Sequence, residues 1–138
     1  MINIVRRESQ VEYLRETYGC EYVLNSSSET FEKEFADVVK KMQARTLIEC
    51  VGGELTGKLL GFLPSRSTCI VYGALSEEGL GAIDPLILIG RGQTIESFIL
   101  GSFLESQGIF IANTLRRAAG MMVDETLTSK IHQKFTFS

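Results

Sequence analysis

Two arginines directly follow a short apolar stretch near the start of the sequence. Residues Ile2–Val5 predict a β-strand, and Arg6 and Arg7 stand at its carboxyl end. The planar guanidinium fork suits a phosphate group in both geometry and charge. In dinucleotide-binding folds, arginines after the second strand accept the 2′-phosphate of NADP. The alternative interpretation is a solvated basic pair beside Glu8.

Glycine follows two further apolar stretches. Thr46–Val51 and Thr68–Tyr72 predict strands, and the residues at their ends are Val51, Gly52, Gly53, Tyr72, Gly73 and Ala74. Ligands of doubly wound sheets bind beyond the carboxyl ends of the strands, and glycine lets backbone approach a ligand closely. These residues therefore predict a nucleotide crevice. The alternative is that the glycines only end their strands and that Tyr72 packs in the core.

Helical patterns separate the strands. The predicted helices cover about 8–18, 27–43, 55–63, 84–89 and the stretch around 111–122. Gly19 is placed to end the first helix, and Ser26 with Glu29 has the spacing of a capping box for the second. Asp84 followed by Pro85 predicts a helix start.

Strands and helices alternate regularly along the chain. The predicted strands are Ile2–Val5, Tyr22–Leu24, Thr46–Val51, Thr68–Tyr72 and Ile95–Leu100. This alternation predicts one α/β domain over residues 1–138, with a doubly wound parallel sheet of about five strands. The tail Ile131–Phe137 alternates apolar and polar residues, which fits either a strand or a loose terminus.

Composition excludes several classes of function. The 138 residues carry a net charge of −3, so no basic field for nucleic acid is expected. No apolar run is long enough to span a membrane, and no signal peptide is recognisable. The three cysteines lack metal-site spacing and predict free thiols in a reducing compartment, cytoplasm or mitochondrial matrix. The single histidine, His132, excludes a catalytic triad or a histidine-based metal site.

Four segments of the sequence can be compared with a known family: INIVRRESQVEYL, YGCEYVLNSSSETFEKEF, LIECVGGELTGKLLGFLPSRSTCIVYGALS and ESFILGSFL. Together they resemble the cofactor-binding domain of the medium-chain dehydrogenase/reductase superfamily, above all its zinc-free quinone reductases and enoyl thioester reductases. The first looks like the second Rossmann strand of that family. The motifs ECVGG and IVYGALS look like its fourth and fifth strands with their turns. The resemblance implies a Rossmann-like fold truncated at both ends, without the first strand, its glycine-rich turn and the substrate domain.

The resemblance implies an NADPH-dependent oxidoreductase of the quinone or enoyl reductase type, incomplete for catalysis alone. NADP would be held by Arg6 and Arg7 at its 2′-phosphate and by the crevice residues Val51–Gly53 and Tyr72–Ala74. No catalytic residue and no metal ligand is assigned. The alternatives are a bare nucleotide-binding module and a structural or interaction subunit that keeps the fold but no longer binds cofactor.

The resemblance also implies partners. Ile95–Leu100 matches the family's edge strand, which predicts a homodimer through that edge or a place in a larger assembly. The strand order of the family's sheet is 3-2-1-4-5-6, in which Ile2–Val5 corresponds to strand 2 and Thr46–Val51 to strand 4. Without strand 1, a gap separates these two strands. We expect either that these two strands pair, giving a flavodoxin-like order, or that a partner strand fills the gap.

Overall fold

The structure, a computed structural model, describes residues 1–128, 133 and 135. The predictions for the tail Ile131–Phe137 and for His132 fall mainly outside these residues. The chain divides into two units, residues 1–98 and residues 99–138. Each unit is described by itself.

The first unit alternates strands and helices, which confirms the predicted α/β class. Its elements are β1 (Ile2–Val5), α1 (Glu8–Tyr18), β2 (Tyr22–Asn25), α2 (Phe31–Met42), β3 (Thr46–Glu49), α3 (Glu54–Phe62), β4 (Thr68–Val71), α4 (Pro85–Arg91) and β5 (Thr94–Ser97). Two predicted local signals are present. The N–H of Gly19, at φ 63°, donates to the carbonyl of Arg15 at the end of α1. The Asp84 carboxylate accepts from the N–H of Leu86 at 2.8 Å and caps α4.

The second unit contains α5 (Leu100–Ser106), a 3₁₀ turn (Gly108–Phe110) and α6 (Ile111–Val123). Helix α6 was predicted and α5 was not. The prediction of a strand over Ile95–Leu100 is wrong in its second half, because the chain begins to turn at Ile99, whose carbonyl accepts from Phe103. Among the residues described, no helix has the length and apolar character needed to cross a membrane.

Helix α2 begins later than predicted. The capping box at Ser26 and Glu29 does not form. Instead, the N–H of Ser27 donates to Asn25 Oδ1 at 3.0 Å, which turns the chain away from the helix path. The helix starts at Phe31, so the predicted start at residue 27 is wrong by about one turn.

The five strands form two parallel sheets in the described part of the chain. One sheet has the order β1-β2 and the other the order β3-β4-β5. The register pairs Ile4 with Leu24 in the first sheet and Ile48 with Ile70 in the second. Strands β1 and β3 do not pair, so the flavodoxin-like closure of the gap does not occur. The parallel, Rossmann-like character of the strands is confirmed, and the sheet is interrupted at the predicted place.

One apolar core joins the two sheets. Its buried members are Leu24, Phe31, Phe35, Val39, Leu59, Leu60, Leu63 and Cys69. Helices α2 and α3 meet in this core, where the rings of Phe35 and Phe62 lie edge to face at 6.0 Å between centroids. Ile4 of β1 and Leu47 of β3 pack against the same cluster. The core therefore spans both sheets on one face.

The three cysteines are free, and they differ in burial. Cys69 is fully buried, whereas Cys20 and Cys50 are half-buried. Burial, with a smaller effect from the Glu49 carboxylate, raises the pKa of the Cys69 thiol to about 11. The Cys69 thiol therefore stays protonated near neutral pH and acts as a core side chain.

Truncating Phe35 tests the shared core. We expect Phe35→Ala to lower the free energy of unfolding by roughly 3–5 kcal/mol, because it leaves a cavity where α2 meets α3. Lys33→Ala, on the exposed side of the same helix, is the control and should change it by less than about 0.5 kcal/mol. Chemical denaturation followed by circular dichroism measures both. Equal effects of the two variants would contradict this description of the core.

Candidate functional site

The predicted arginine pair lines a cleft at the carboxyl end of β1. This arginine cleft has a volume of about 470 Å³, and its walls are Ile4, Val5, Arg6, Arg7, Gln10 and Ser27. Arg6 and Arg7 connect β1 to α1, Gln10 lies in the first turn of α1, and Ser27 follows β2. Three consecutive elements of the chain therefore converge on the arginines.

Hydrogen bonds fix the backbone of the arginine cleft. Gln10 Oε1 accepts from the N–H groups of Arg6 at 3.2 Å and Arg7 at 3.1 Å. The Ser27 hydroxyl donates to the carbonyl of Arg6 at 3.0 Å. The backbone that carries both guanidinium groups is thus held from α1 on one side and from the β2 end on the other.

The positive charge of the cleft is not neutralised by a neighbouring carboxylate. Glu8 follows the arginines in sequence, yet its carboxylate accepts from Asn25 Nδ2 at 3.1 Å. Within the described residues, no ion pair involves Arg6 or Arg7. Two exposed guanidinium groups at the mouth of one cleft provide the chemistry of an anion site.

The predicted glycines after β3 form a turn that a buried carboxylate holds. Glu49 is 5% exposed, and its Oε1 accepts from the N–H groups of Val51 at 2.5 Å and Gly52 at 3.0 Å. Gly52 and Gly53 have φ angles of 81° and 74°, which favour glycine. The role of Glu49 was not predicted, although an acidic residue inside an apolar strand was a visible signal.

A loop over residues 74–82 closes over this glycine turn. The N–H of Ser76 donates to the carbonyl of Val51 at 2.8 Å, and the N–H of Gly53 donates to the carbonyl of Gly79 at 2.6 Å. A Cβ at Gly52 would lie 3.1 Å from the carbonyl oxygen of Glu78. Because Gly52 and Gly53 have no side chains, the loop can pack directly against the turn.

Tyr72 and Gly73 lie at the end of β4 beside Cys50. Tyr72 is 53% exposed, so the alternative that placed it in the packed core is wrong. A hydrogen bond with the Cys50 side chain raises the pKa of Tyr72. A Cβ at Gly73 would lie 3.0 Å from the Cys50 carbonyl oxygen, so glycine is needed there for the close approach of the two strand ends.

The structure thus sorts the predicted site residues into two groups. Arg6 and Arg7 share the arginine cleft, whose walls include none of Val51–Gly53 or Tyr72–Ala74. The second group lies at the carboxyl ends of β3 and β4, beyond the interruption between β1 and β3. In the part of the chain that is described, no cluster of three or more His, Cys, Asp or Glu side chains could hold a metal ion.

Comparison with known proteins gives structural matches only. No family model and no curated protein matches the sequence. A protein from Mesorhizobium loti assigned as an NADPH:quinone reductase is 27% identical, with a TM-score of 0.79 over 92% of this chain and 37% of its own. One of the same assignment from Bacillus thuringiensis is 19% identical, with a TM-score of 0.78 over 95% and 39%. The mitochondrial 2-enoyl thioester reductase heterodimer of Candida tropicalis is 17% identical, with a TM-score of 0.77 over 94% and 38%.

The predicted resemblance to the medium-chain dehydrogenase/reductase superfamily is confirmed. The chain spans between 37% and 39% of the length of these three structures. An enoyl thioester reductase among the similar structures was solved with NADP and crotonyl-CoA bound. The matches at 17% and 19% identity support the fold alone.

Two glycines of α3 test how closely the 74–82 loop packs. A Cβ at Gly57 would clash with the carbonyl of Ala82, whereas one at Gly61 would meet nothing within 4 Å. We expect Gly57→Ala to destabilise the protein by roughly 1–3 kcal/mol. Gly61→Ala should stabilise it by up to about 1 kcal/mol, because alanine favours the helix. Thermal unfolding of both variants gives the signs, and equal signs would contradict the close packing of the loop.

Proposed function

We propose that the chain is the cofactor-binding part of an NADPH-dependent oxidoreductase of the quinone or enoyl reductase type. The arginine cleft takes the 2′-phosphate of NADP. The observation that carries this proposal is the pair Arg6 and Arg7, which line one cleft after β1 with no carboxylate partner among the described residues. Val51 and Tyr72–Ala74 are proposed to line the more distant part of the cofactor path. Gly52 and Gly53, predicted for the same role, are buried under the 74–82 loop.

The residues of the cleft suit a phosphate dianion. Two guanidinium groups match its charge and offer forked N–H donors. Gln10 Oε1 is occupied by backbone N–H groups, while its Nε2 group makes no hydrogen bond within the described residues and remains a donor for the ligand. Ser27 already donates to the Arg6 carbonyl, so it acts as a positioning residue.

We further propose that this chain does not complete the reaction by itself. In such reductases the nicotinamide carries the hydride, and the protein supplies binding and orientation. The reductases similar in structure are more than twice as long as this chain. The contribution of residues 1–128 is therefore cofactor binding, with other protein parts required to orient a substrate.

Cofactor binding is tested by thermal shift with NADPH and NADH. A ligand at about a hundred times its dissociation constant stabilises the folded state by about 2.7 kcal/mol, which raises the melting temperature. We expect NADPH to raise it more than NADH at equal concentration. The double variant Arg6→Ala/Arg7→Ala should remove the difference between the two cofactors, because only NADPH carries the 2′-phosphate.

The matched control is the second adjacent arginine pair of the chain, at the exposed positions Arg116 and Arg117 in α6. Arg116→Ala/Arg117→Ala removes the same charge and should leave the preference for NADPH intact. No shift with either cofactor would contradict the proposal. It would favour the alternative of an interaction subunit that keeps the fold without binding cofactor.

We also propose a homodimer through the outer edge of β5. The N–H groups of Thr94 and Phe98 donate to the carbonyls of Ser67 and Val71, both on the β4 side. Because the hydrogen-bonding direction alternates along a strand, the backbone groups of Ile95 and Ser97 point away from β4. An edge of this kind can pair with its two-fold mate.

Sedimentation velocity tests the dimer. We expect the wild-type chain to dimerise and Ile95→Lys to shift it toward monomer, because an edge lysine opposes strand pairing. Ile89→Lys is the control, since Ile89 is 76% exposed on α4 and lies off the edge. A monomeric wild type, or equal dissociation by both variants, would contradict this arrangement.

The free thiols of the chain are the basis for proposing a cellular compartment. All three cysteines are free, and cytoplasm and mitochondrial matrix are compartments that keep thiols reduced. One similar structure is of a mitochondrial reductase. We therefore propose one of these two compartments for the chain.

A further inference from the structure

The side chain of Asn25 makes two hydrogen bonds at the end of β2. Its Oδ1 accepts from the N–H of Ser27 at 3.0 Å, and its Nδ2 donates to Oε2 of Glu8 at 3.1 Å. An ionised carboxylate only accepts and a backbone N–H only donates, so these two partners allow one orientation of the amide. Asn25 is half-buried and lies beside Val5, its partner in the parallel register. It therefore links the end of β2 to the first turn of α1.

The bond to Ser27 acts on the arginine cleft through the backbone. The Asn25 carbonyl also accepts from the N–H of Ser28 at 3.0 Å, so the chain turns tightly after β2. This turn places the Ser27 hydroxyl where it donates to the Arg6 carbonyl at 3.0 Å. Asn25 is thus one hydrogen-bonded residue away from the backbone that carries the arginines.

The bond to Glu8 acts on the charge of the cleft. Glu8 directly follows Arg6 and Arg7 and is the carboxylate nearest to them in sequence. All three residues are exposed, and exposed side chains of opposite charge that lie close together can form an ion pair. The Glu8 carboxylate accepts from Asn25 instead, and no ion pair involves either arginine among the described residues. The bond to Asn25 therefore directs this carboxylate away from the cleft, whose walls do not include Glu8.

We propose that Asn25 determines the specificity of the arginine cleft, because it holds the Glu8 carboxylate away from Arg6 and Arg7 and keeps both guanidinium groups free for a phosphate. This inference rests on the proposed function, since it concerns the same phosphate site. When the amide donor is removed, Glu8 pairs with an arginine and competes with the 2′-phosphate of NADPH. A carboxylate in the cleft also accepts from the 2′-hydroxyl of NADH, as acidic residues do in dinucleotide-binding folds. Asn25 thus favours NADPH over NADH without itself lining the cleft.

Asparagine suits this position because its short side chain carries a donor and an acceptor together. Aspartate at position 25 could accept from Ser27, but it would repel Glu8. Serine at the same position could also accept from the N–H of Ser27, since serine and asparagine side chains form similar turns. The serine hydroxyl is too short to reach Glu8 at the same time. The variant Asn25→Ser therefore separates the two bonds: it keeps the turn and removes the contact with Glu8.

The position of the Glu8 carboxylate is tested first without any cofactor. The observable is the exchange with water of the Nε–H protons of Arg6 and Arg7, followed by NMR on the full chain. In the wild type we expect fast exchange at both, because neither guanidinium group forms an ion pair. In Asn25→Ser we expect exchange at one or both to slow roughly twofold to fivefold, in line with the strength of an exposed ion pair. The double variant Asn25→Ser/Glu8→Gln should return to the wild-type rates.

The effect on cofactor choice is tested by the dissociation constants of NADPH and NADH, measured by calorimetry. We expect Asn25→Ser to lower the preference for NADPH roughly twofold to fivefold, because an exposed ion pair competes to that extent. Adding Glu8→Gln should restore the preference, since glutamine carries no charge to pair with an arginine. Glu8→Gln alone should leave it almost unchanged, because the carboxylate that it removes is already held away. The control Asn113→Ser changes an exposed asparagine of α6 and should affect neither measurement.

Two results would overturn this role of Asn25. Unchanged Nε–H exchange in Asn25→Ser would mean that Glu8 does not move to the arginines, whether or not a cofactor binds. A loss of NADPH preference that Glu8→Gln fails to restore would mean that Asn25 acts through the Ser27 turn alone. A wild type that binds neither cofactor would instead contradict the cofactor proposal, and the exchange experiment would still decide whether Asn25 keeps the arginines free of Glu8.

Discussion

The packing of α2 against α3 holds together two sheets that share no hydrogen bond. Parallel sheets usually gain cohesion from continuous ladders, yet here the ladder is interrupted between β1 and β3. The contact of Phe35 with Phe62 and the buried side chains around it provide the connection instead. Because apolar packing is non-directional, it can join the sheets without fixing the distance between their edges. The rest of the architecture depends on this arrangement.

The interruption also divides the candidate site. The arginine cleft belongs to the first sheet, where Gln10 and Ser27 hold the backbone of Arg6 and Arg7. The glycine turn at Gly52 belongs to the second sheet and is held by Glu49. Each half is locally well defined by its own hydrogen bonds. A cofactor that extends from one half to the other would cross the interruption between β1 and β3.

Much of the fold could be predicted because its signals are local. Gly19 ends α1 and Asp84 caps α4. Both contacts join residues only a few positions apart, so residue type and spacing are enough to predict them. The start of α2 could not be predicted as well. Ser26 has the spacing of a cap, but the Asn25 side chain accepts from the N–H of Ser27 and turns the chain before the helix begins. The end of β5 was misplaced because an apolar run suits a strand and a helix start equally.

The candidate site was predicted in part for the same reason. The arginines follow β1 directly, so the cleft could be anticipated from their position alone. The role of Glu49, and the loop that lets Ser76 bond to Val51, depend on contacts between segments far apart in the chain. The failure of β1 and β3 to pair is also non-local, and sequence reasoning could only pose it as one of two outcomes.

One apolar core joins two sheets, and β1 and β3 do not pair across the interruption between them. Scalar couplings across hydrogen bonds, measured by NMR, test it directly because each coupling identifies a donor and its acceptor. The structure predicts couplings from Ser26 to Val5 and from Tyr72 to Glu49, and none between β1 and β3. A coupling from the amide of Ile4 or Ile48 to a carbonyl of the opposite strand would contradict the account.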